Sequence, residues 1–226
     1  MGGFGTRAGA GETQIEVDRR ILRKRISNLK KRLKSIDSER KVQSKRRQSF
    51  FRTSFVGYTN VGKSSLMKAI TKSDVLIKNQ LFATLDTTVR RLYIGDSNYV
   101  LMSDTVGFIR NLPNNLIASF KSTLQEVVDS NLLLIVLDAN SQDLHNEIAT
   151  IESVLNEIGA ERVDSQFIFN KIDIVDQDRI TYLKKSFPDA IMVSATRALQ
   201  LSNILDIITE KHKEWTTSLK HPSHKR

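Results

Sequence analysis

The apolar positions divide the chain into two regimes. From Ile15 they recur at Leu22, Ile26, Leu29, Leu33 and Ile36, spaced seven, four, three, four and three residues apart. Such spacing lays an apolar seam along one helix. With neither Gly nor Pro between Glu12 and Arg52, that helix is predicted from residue 14 to about 44, within an arm covering 14–48. A single seam cannot bury itself and needs a partner, yet the chain offers no second long helix beside it. The arm therefore packs on the rest of the chain, dimerises, or pairs with a segment upstream of Met1; a monomer is the favoured state. Ahead of it, residues 1–13 hold five Gly and no apolar period, which predicts a flexible loop.

Past Phe51 the pattern alternates between short apolar runs and helical periods. Strands are predicted at "FRTSFV", "RRLYIG", "NYVLMS", "LLLIVLD", "SQFIFN" and "AIMVS". Between them lie helices starting at Ser64 and covering 116–128, 142–158, 176–186 and 199–213. Strands alternating with helices predict an α/β domain over 49–213, a mostly parallel sheet covered on both faces. The stretch 214–226 reads as a polar, frayed tail. The longest apolar run, "LLLIVL" at 132–137, suits a buried strand and is far too short to span a membrane. The N-terminus lacks the apolar core of a secretory signal.

Charge adds a partner. Residues 1–53 carry 16 Lys or Arg against 5 Asp or Glu, while the remainder carries 19 against 20. The whole net charge of +10 thus resides in the arm, as expected of a segment that meets a polyanion such as RNA. The chain has no Cys, which excludes disulfides and thiolate metal sites and fits a cytoplasmic setting.

The candidate chemistry sits where predicted strands end. "GYTNVGKS", Gly57 to Ser64, falls between a strand and a helix and reads as a phosphate-binding loop. Gly57 and Gly62 permit a path that turns N–H groups inward, Lys63 reaches the β and γ phosphates, and the Ser64 hydroxyl binds Mg²⁺. Tyr58, Thr59, Asn60, Val61 and Ser65 complete the expected contact set. "DTVG" then supplies Asp104 for the metal and Gly107 for the γ-phosphate. "NKID" gives Asp173 to accept two hydrogen bonds from guanine, and Lys171, whose stem lies against the base. Asn170 either fixes the loop or meets N7. "VSA" adds Ala195, flanked by Ser194 and Thr196, near guanine O6. Together these motifs predict a P-loop NTPase of the Ras-like GTPase type, binding GTP and its product GDP. A switch Thr should complete the Mg²⁺ shell, and "FATLDTT", which begins at Phe82 and Ala83, offers Thr84, Thr87 and Thr88.

The order "GAGETQIEVDRR", "VGYTNVGKSSL", "FATLDTTVRR", "DTVGFIRNLP" resembles the HflX family of ribosome-associated GTPases. The resemblance implies binding to the large ribosomal subunit, and separation of stalled or idle ribosomes when GTP is bound. It implies that "GTRAGAGETQ" is the loop of a pair of antiparallel helices, the arm being the second, and that the chain is a fragment lacking an upstream domain. It selects Thr84 for the metal, although the family's Asp-Pro-Thr-Thr here reads Asp86-Thr87. It also places an apolar residue, Phe108, where other GTPases have a water-orienting Gln. Lys63, Thr84, Gly107 and Phe108 are thus the candidates around the reacting phosphate. Asn60 either caps the loop or binds potassium, as an Asn does in some GTPases with such a replacement. The alternatives are a ribosome-assembly GTPase and a binding module with negligible turnover.

Overall fold

A computed structural model describes residues 14–46, 49–71, 88–95, 98–105, 107 and 124–220. The chain forms two compact units, 1–46 and 47–226. In the first, helix α1 (Gln14–Arg46) presents Ile15, Ile21, Leu22 and Ile26 more than half exposed.

In the second, six strands line up as β2-β3-β1-β4-β5-β6. They are β1 (Arg52–Val56), β2 (Thr88–Tyr93), β3 (Tyr99–Asp104), β4 (Leu132–Asp138), β5 (Asp164–Asn170) and β6 (Ile191–Met192). All pairs are parallel except β2 with β3, which are antiparallel. The helices are α2 (Lys63–Thr71), α3 (Gln125–Val128), α4 (Leu144–Ile158), α5 (Gln177–Ser186) and α6 (Ser202–Lys220), with a 3-10 turn at Ile172–Ile174. This is the predicted α/β class with a mostly parallel sheet.

Position in the sheet explains the sequence of each strand. β4 lies between β1 and β5, and its six apolar residues Leu132 to Leu137 are all buried. Edge strand β2 buries only Leu92 and exposes Arg91 and Tyr93. The chain leaves β1 toward β3 and returns on its other side as β4, so the carboxyl end of β1 is a topological switch point. Crevices at such points bind ligands in open parallel sheets. Leu66 and Met67 of α2, Ile151 of α4, Leu183 of α5, and Ile204 and Ile208 of α6 close the core over the sheet.

Of the helix expected over 116–128, Gln125–Val128 is seen, and 116–123 lie outside the described residues. Two elements differ most from the sequence reading. The strand "AIMVS" shortens to Ile191–Met192 because Ser194 exchanges hydrogen bonds with Leu199 (3.2 and 3.0 Å), turning the backbone away from β5. The last helix does not end near 213 but continues to Lys220. Its polar residues satisfy themselves: Thr216 and Thr217 donate to the carbonyls of His212 and Lys213, at 2.8 and 2.9 Å. Trp215 anchors this turn edge-on to Phe51, centroids 5.8 Å apart. We expect Trp215→Ala to cost about 2 kcal/mol, below the full value for a buried Trp because this one is half-buried. Thermal unfolding measures it, and an unchanged midpoint would contradict the packing role.

Candidate nucleotide site

The phosphate loop is built by backbone conformations that few residues tolerate. Gly57 follows the buried end of β1 with φ 146°, and a Cβ there would overlap the carbonyl oxygen of Val136. Asn60 has φ 64°, a left-handed conformation that Asn accepts more readily than other side chains. Gly62, φ 97°, leaves no room for a Cβ beside the Asn170 amide. Helix α2 starts at the next residue, with its first turn closed by Leu66 N–H donating to Gly62 at 2.9 Å. The amide groups at its start thus open onto the loop, where an anion is favoured.

Lys63 is 6% exposed, and its ammonium donates to the carbonyls of Gly57 (3.0 Å) and Tyr58 (2.8 Å). Burial pulls its pKa down to about 8, with the Asp104 charge acting in the opposite direction. Asp104, the last residue of β3, is 1% exposed and accepts from the Ser64 hydroxyl at 2.5 Å. Gly107 presses onto the loop: a Cβ would stand 2.8 Å from Thr59 Cγ2 and 2.9 Å from Lys63 Nζ. No larger residue fits there without displacing the loop.

Asn170, 2% exposed, ties three segments together. Its Nδ2 donates to Val61 O at 2.8 Å, and its Oδ1 accepts from Ala195 N–H at 3.0 Å. The phosphate loop, the end of β5 and the segment after β6 are therefore one hydrogen-bonded assembly. Lys171 follows with φ 68°, its ammonium 2.7 Å from Asp138 Oδ2. Asp173 lies exposed in the turn Ile172–Ile174. Ser194 is buried, and its hydroxyl accepts from Arg197 N–H at 3.0 Å; Ala195 is half-buried and Thr196 exposed. Ser65 is half-buried on α2, and Thr88 opens β2 opposite Asp104. Phe82, Ala83, Thr84, Thr87 and Phe108 lie outside the described residues.

The donor set fits a magnesium nucleotide. The loop crowds out Cβ atoms where phosphate would meet backbone, Lys63 supplies one buried cation, and Ser64 stands beside the Asp104 carboxylate. Among the described residues no cluster of three His, Cys, Asp or Glu could hold a metal. Ser64 and Asp104 fit Mg²⁺, which commonly takes one or two protein ligands and completes its shell with water and phosphate.

Sequence reasoning missed four residues that frame the site. Asp138 ends β4 beside Asn170. Arg179 of α5 donates through Nε to Ala139 O at 2.9 Å and through Nη2 to Ser141 O at 2.5 Å. The Ser141 hydroxyl donates to Glu147 Oε1 at 2.9 Å, and Glu147 is buried. Asp138, Ser141 and Glu147, with Asn140 and residues 58–61, line a cleft of about 420 Å³, and Arg179 braces its loop through the two carbonyls. The available signal was a carboxylate ending an apolar strand between the two strands that carry motifs.

The lowered Lys63 pKa yields a pH prediction with opposite signs for binding and stability. Between about 8 and the ordinary value of 10.5 the unfolded chain holds the proton more tightly, so stability without nucleotide rises with pH in this window. Phosphate binding favours the protonated ammonium, so nucleotide affinity should fall above pH 8, by at most about tenfold per pH unit. Titrations at pH 7, 8 and 9 check this; flat affinity would contradict a phosphate-contacting Lys63 that loses its proton near pH 8 in the free chain.

Residues 52–171 match the family described as 50S ribosome-binding GTPase, and residues 1–47 match the family described as GTP-binding GTPase Middle Region. The GTPase HflX of Flavobacterium psychrophilum is 51% identical over 172 residues, covering 76% of this chain and 41% of the relative. The GTPase HflX of Escherichia coli is 40% identical over 214 residues, covering 93% and 50%. The chain thus spans half or less of the length of these two relatives. Among solved structures, a GTP-binding protein from Sulfolobus solfataricus in complex with GDP superposes with a TM-score of 0.61 at 26% identity, covering 87% of this chain and 60% of that one. The chain belongs to the family described as 50S ribosome-binding GTPase and, within it, to the HflX GTPases.

Proposed function

We propose that this chain binds GTP with Mg²⁺, hydrolyses it, and acts in the cytoplasm on the large ribosomal subunit to separate stalled or idle ribosomes. The observation that carries the nucleotide reading is convergence. The phosphate loop, the Ser64–Asp104 pair and the Asn170-tied base segment meet at the carboxyl ends of β1, β3 and β5. Ser64 and Asp104, with Thr84, would hold the metal, whose charge offsets that of the phosphate oxygens. Lys63 neutralises the β and γ phosphates, Gly107 donates its N–H to the γ-phosphate, and Asp173 reads guanine.

With Phe108 in place of a Gln, no side chain at that position orients water. Hydrolysis by the chain alone is therefore slow, and the ribosome or a potassium ion beside Asn60 accelerates it. Turnover in potassium against sodium buffer, repeated for Asn60→Ala, tests the ion: a several-fold potassium stimulation lost in the variant is expected. Equal rates throughout would remove the ion from the account.

Helix α1 supports the ribosomal partner. Arg19, Arg20, Arg23, Lys24 and Arg25 are all exposed on it, a dense cationic surface suited to RNA phosphates. Pelleting the chain with purified large subunits, with GTP or a slowly hydrolysed analogue, tests this. Co-sedimentation that weakens steeply with salt is expected. No co-sedimentation at low salt with either nucleotide would overturn the ribosomal reading.

A further inference from the structure

We propose that Asp138 is a positioning residue for the base: it holds Lys171 in place against guanine and thereby sets how long the nucleotide stays bound. This rests on the reading of the site as a guanine-nucleotide site, and deepens it.

The placement follows from sheet register. Asp138 and Asn170 are direct neighbours on β4 and β5, so the carboxylate rises beside the residue just before Lys171. Lys171 takes a left-handed backbone conformation, which turns the chain out of β5 into the turn carrying Asp173. A lysine leaving such a turn has a long, freely rotating stem. Here its ammonium is caught 2.7 Å from Asp138 Oδ2, with the two side chains 27% and 24% exposed.

The carboxylate is itself fixed. Its Oδ1 accepts from Asn140 N–H at 3.0 Å, so both oxygens are engaged by different partners. The loop beyond it is clamped by Arg179 on the carbonyls of Ala139 and Ser141, and by Ser141 on Glu147. Asp138 therefore offers Lys171 one geometry and not a range. That matters because a phosphate-binding loop lies beside it. An ammonium without this counter-charge would be drawn toward the phosphates, and the stem would leave the base. The pair thus separates two cationic tasks: Lys63 serves phosphate, and Lys171 is kept for the base.

Dissociation of fluorescent mant-GDP from the full chain, chased with excess GDP, tests the assignment. Asp138→Asn is isosteric, keeps an acceptor for Asn140, and removes the charge facing Lys171. It should speed dissociation about tenfold, equally for GDP and a GTP analogue, because the lost contact is on the base side. Asp138→Glu, which restores the carboxylate, should recover most of the wild-type rate. Lys171→Met keeps an unbranched stem and removes the ammonium; in that background Asp138→Asn should change the rate by less than about twofold. Should Asp138→Asn fold poorly, Asp138→Ser serves the same cycle. A wild-type rate for Asp138→Asn, or the same acceleration with and without the Lys171 ammonium, would overturn the proposal. Failure of the unaltered chain to bind mant-GDP would instead contradict the nucleotide reading as a whole.

Discussion

Lys63→Ala should lower GTP turnover by about 10³-fold while leaving the chain folded. The ammonium is the one lysine charge within the loop, held by the carbonyls of Gly57 and Tyr58 and 6% exposed. Its removal takes away the cation meant for the β and γ phosphates. It also removes a buried charge whose folded-state pKa of about 8 lies below the ordinary 10.5. Carrying that charge at pH 7 costs folding free energy, so the alanine chain should melt at the same temperature or higher without nucleotide. Loss of activity together with loss of fold would contradict this separation, because Lys63 would then be structural. Phosphate release and thermal unfolding on the same preparation decide it.

Asp173→Asn should reverse the base preference. Guanine presents two donors, N1–H and the exocyclic amine, and a carboxylate accepts from both. An asparagine amide offers one acceptor and one donor, so one guanine donor faces another donor. Xanthine carries a carbonyl where guanine has its amine, and this pattern matches the asparagine. Two charge-assisted hydrogen bonds are lost or weakened, so affinity for GTP should fall about 10³-fold while that for XTP rises. The exposed position of Asp173 in its short turn means the change costs little stability. Competition binding with GTP, XTP and ATP reads the result. A variant that still prefers GTP would show that the base is recognised elsewhere.

Much of this site was legible in the sequence because its backbone demands are local. Gly57 and Gly62 are required by positive φ and by atoms that exclude a Cβ, and such demands leave Gly in fixed spacing. Strand β4 was legible over its whole length because burial on both faces leaves an unbroken apolar run. The supporting contacts were not legible. Arg179 acts on two backbone carbonyls about forty residues away, and a carbonyl acceptor has no residue type to recognise. Asp138 and Lys171 are brought together only by register between neighbouring strands. The end of α6 misled for a different reason: Thr216 and Thr217 look like tail residues, yet their hydroxyls bond back to the preceding turn.

The order of elements also explains why the site is assembled from distant segments. β1, β3 and β5 are parallel members of one sheet, so their carboxyl ends lie along one edge. In the proposed function each would contribute one requirement: phosphate, metal or base. Asn170 then ties the loop after β1 to the segment after β6, so that in the proposed site the base and phosphate ends would be structurally linked.

Multiple-turnover phosphate release, measured with GTP and with ATP, each with and without purified large ribosomal subunits, decides whether this chain is a ribosome-stimulated GTPase. Slow release from GTP alone, a clear increase with large subunits, and no release from ATP above background are expected. Release from ATP equal to that from GTP, or no release from GTP under either condition, would contradict that assignment.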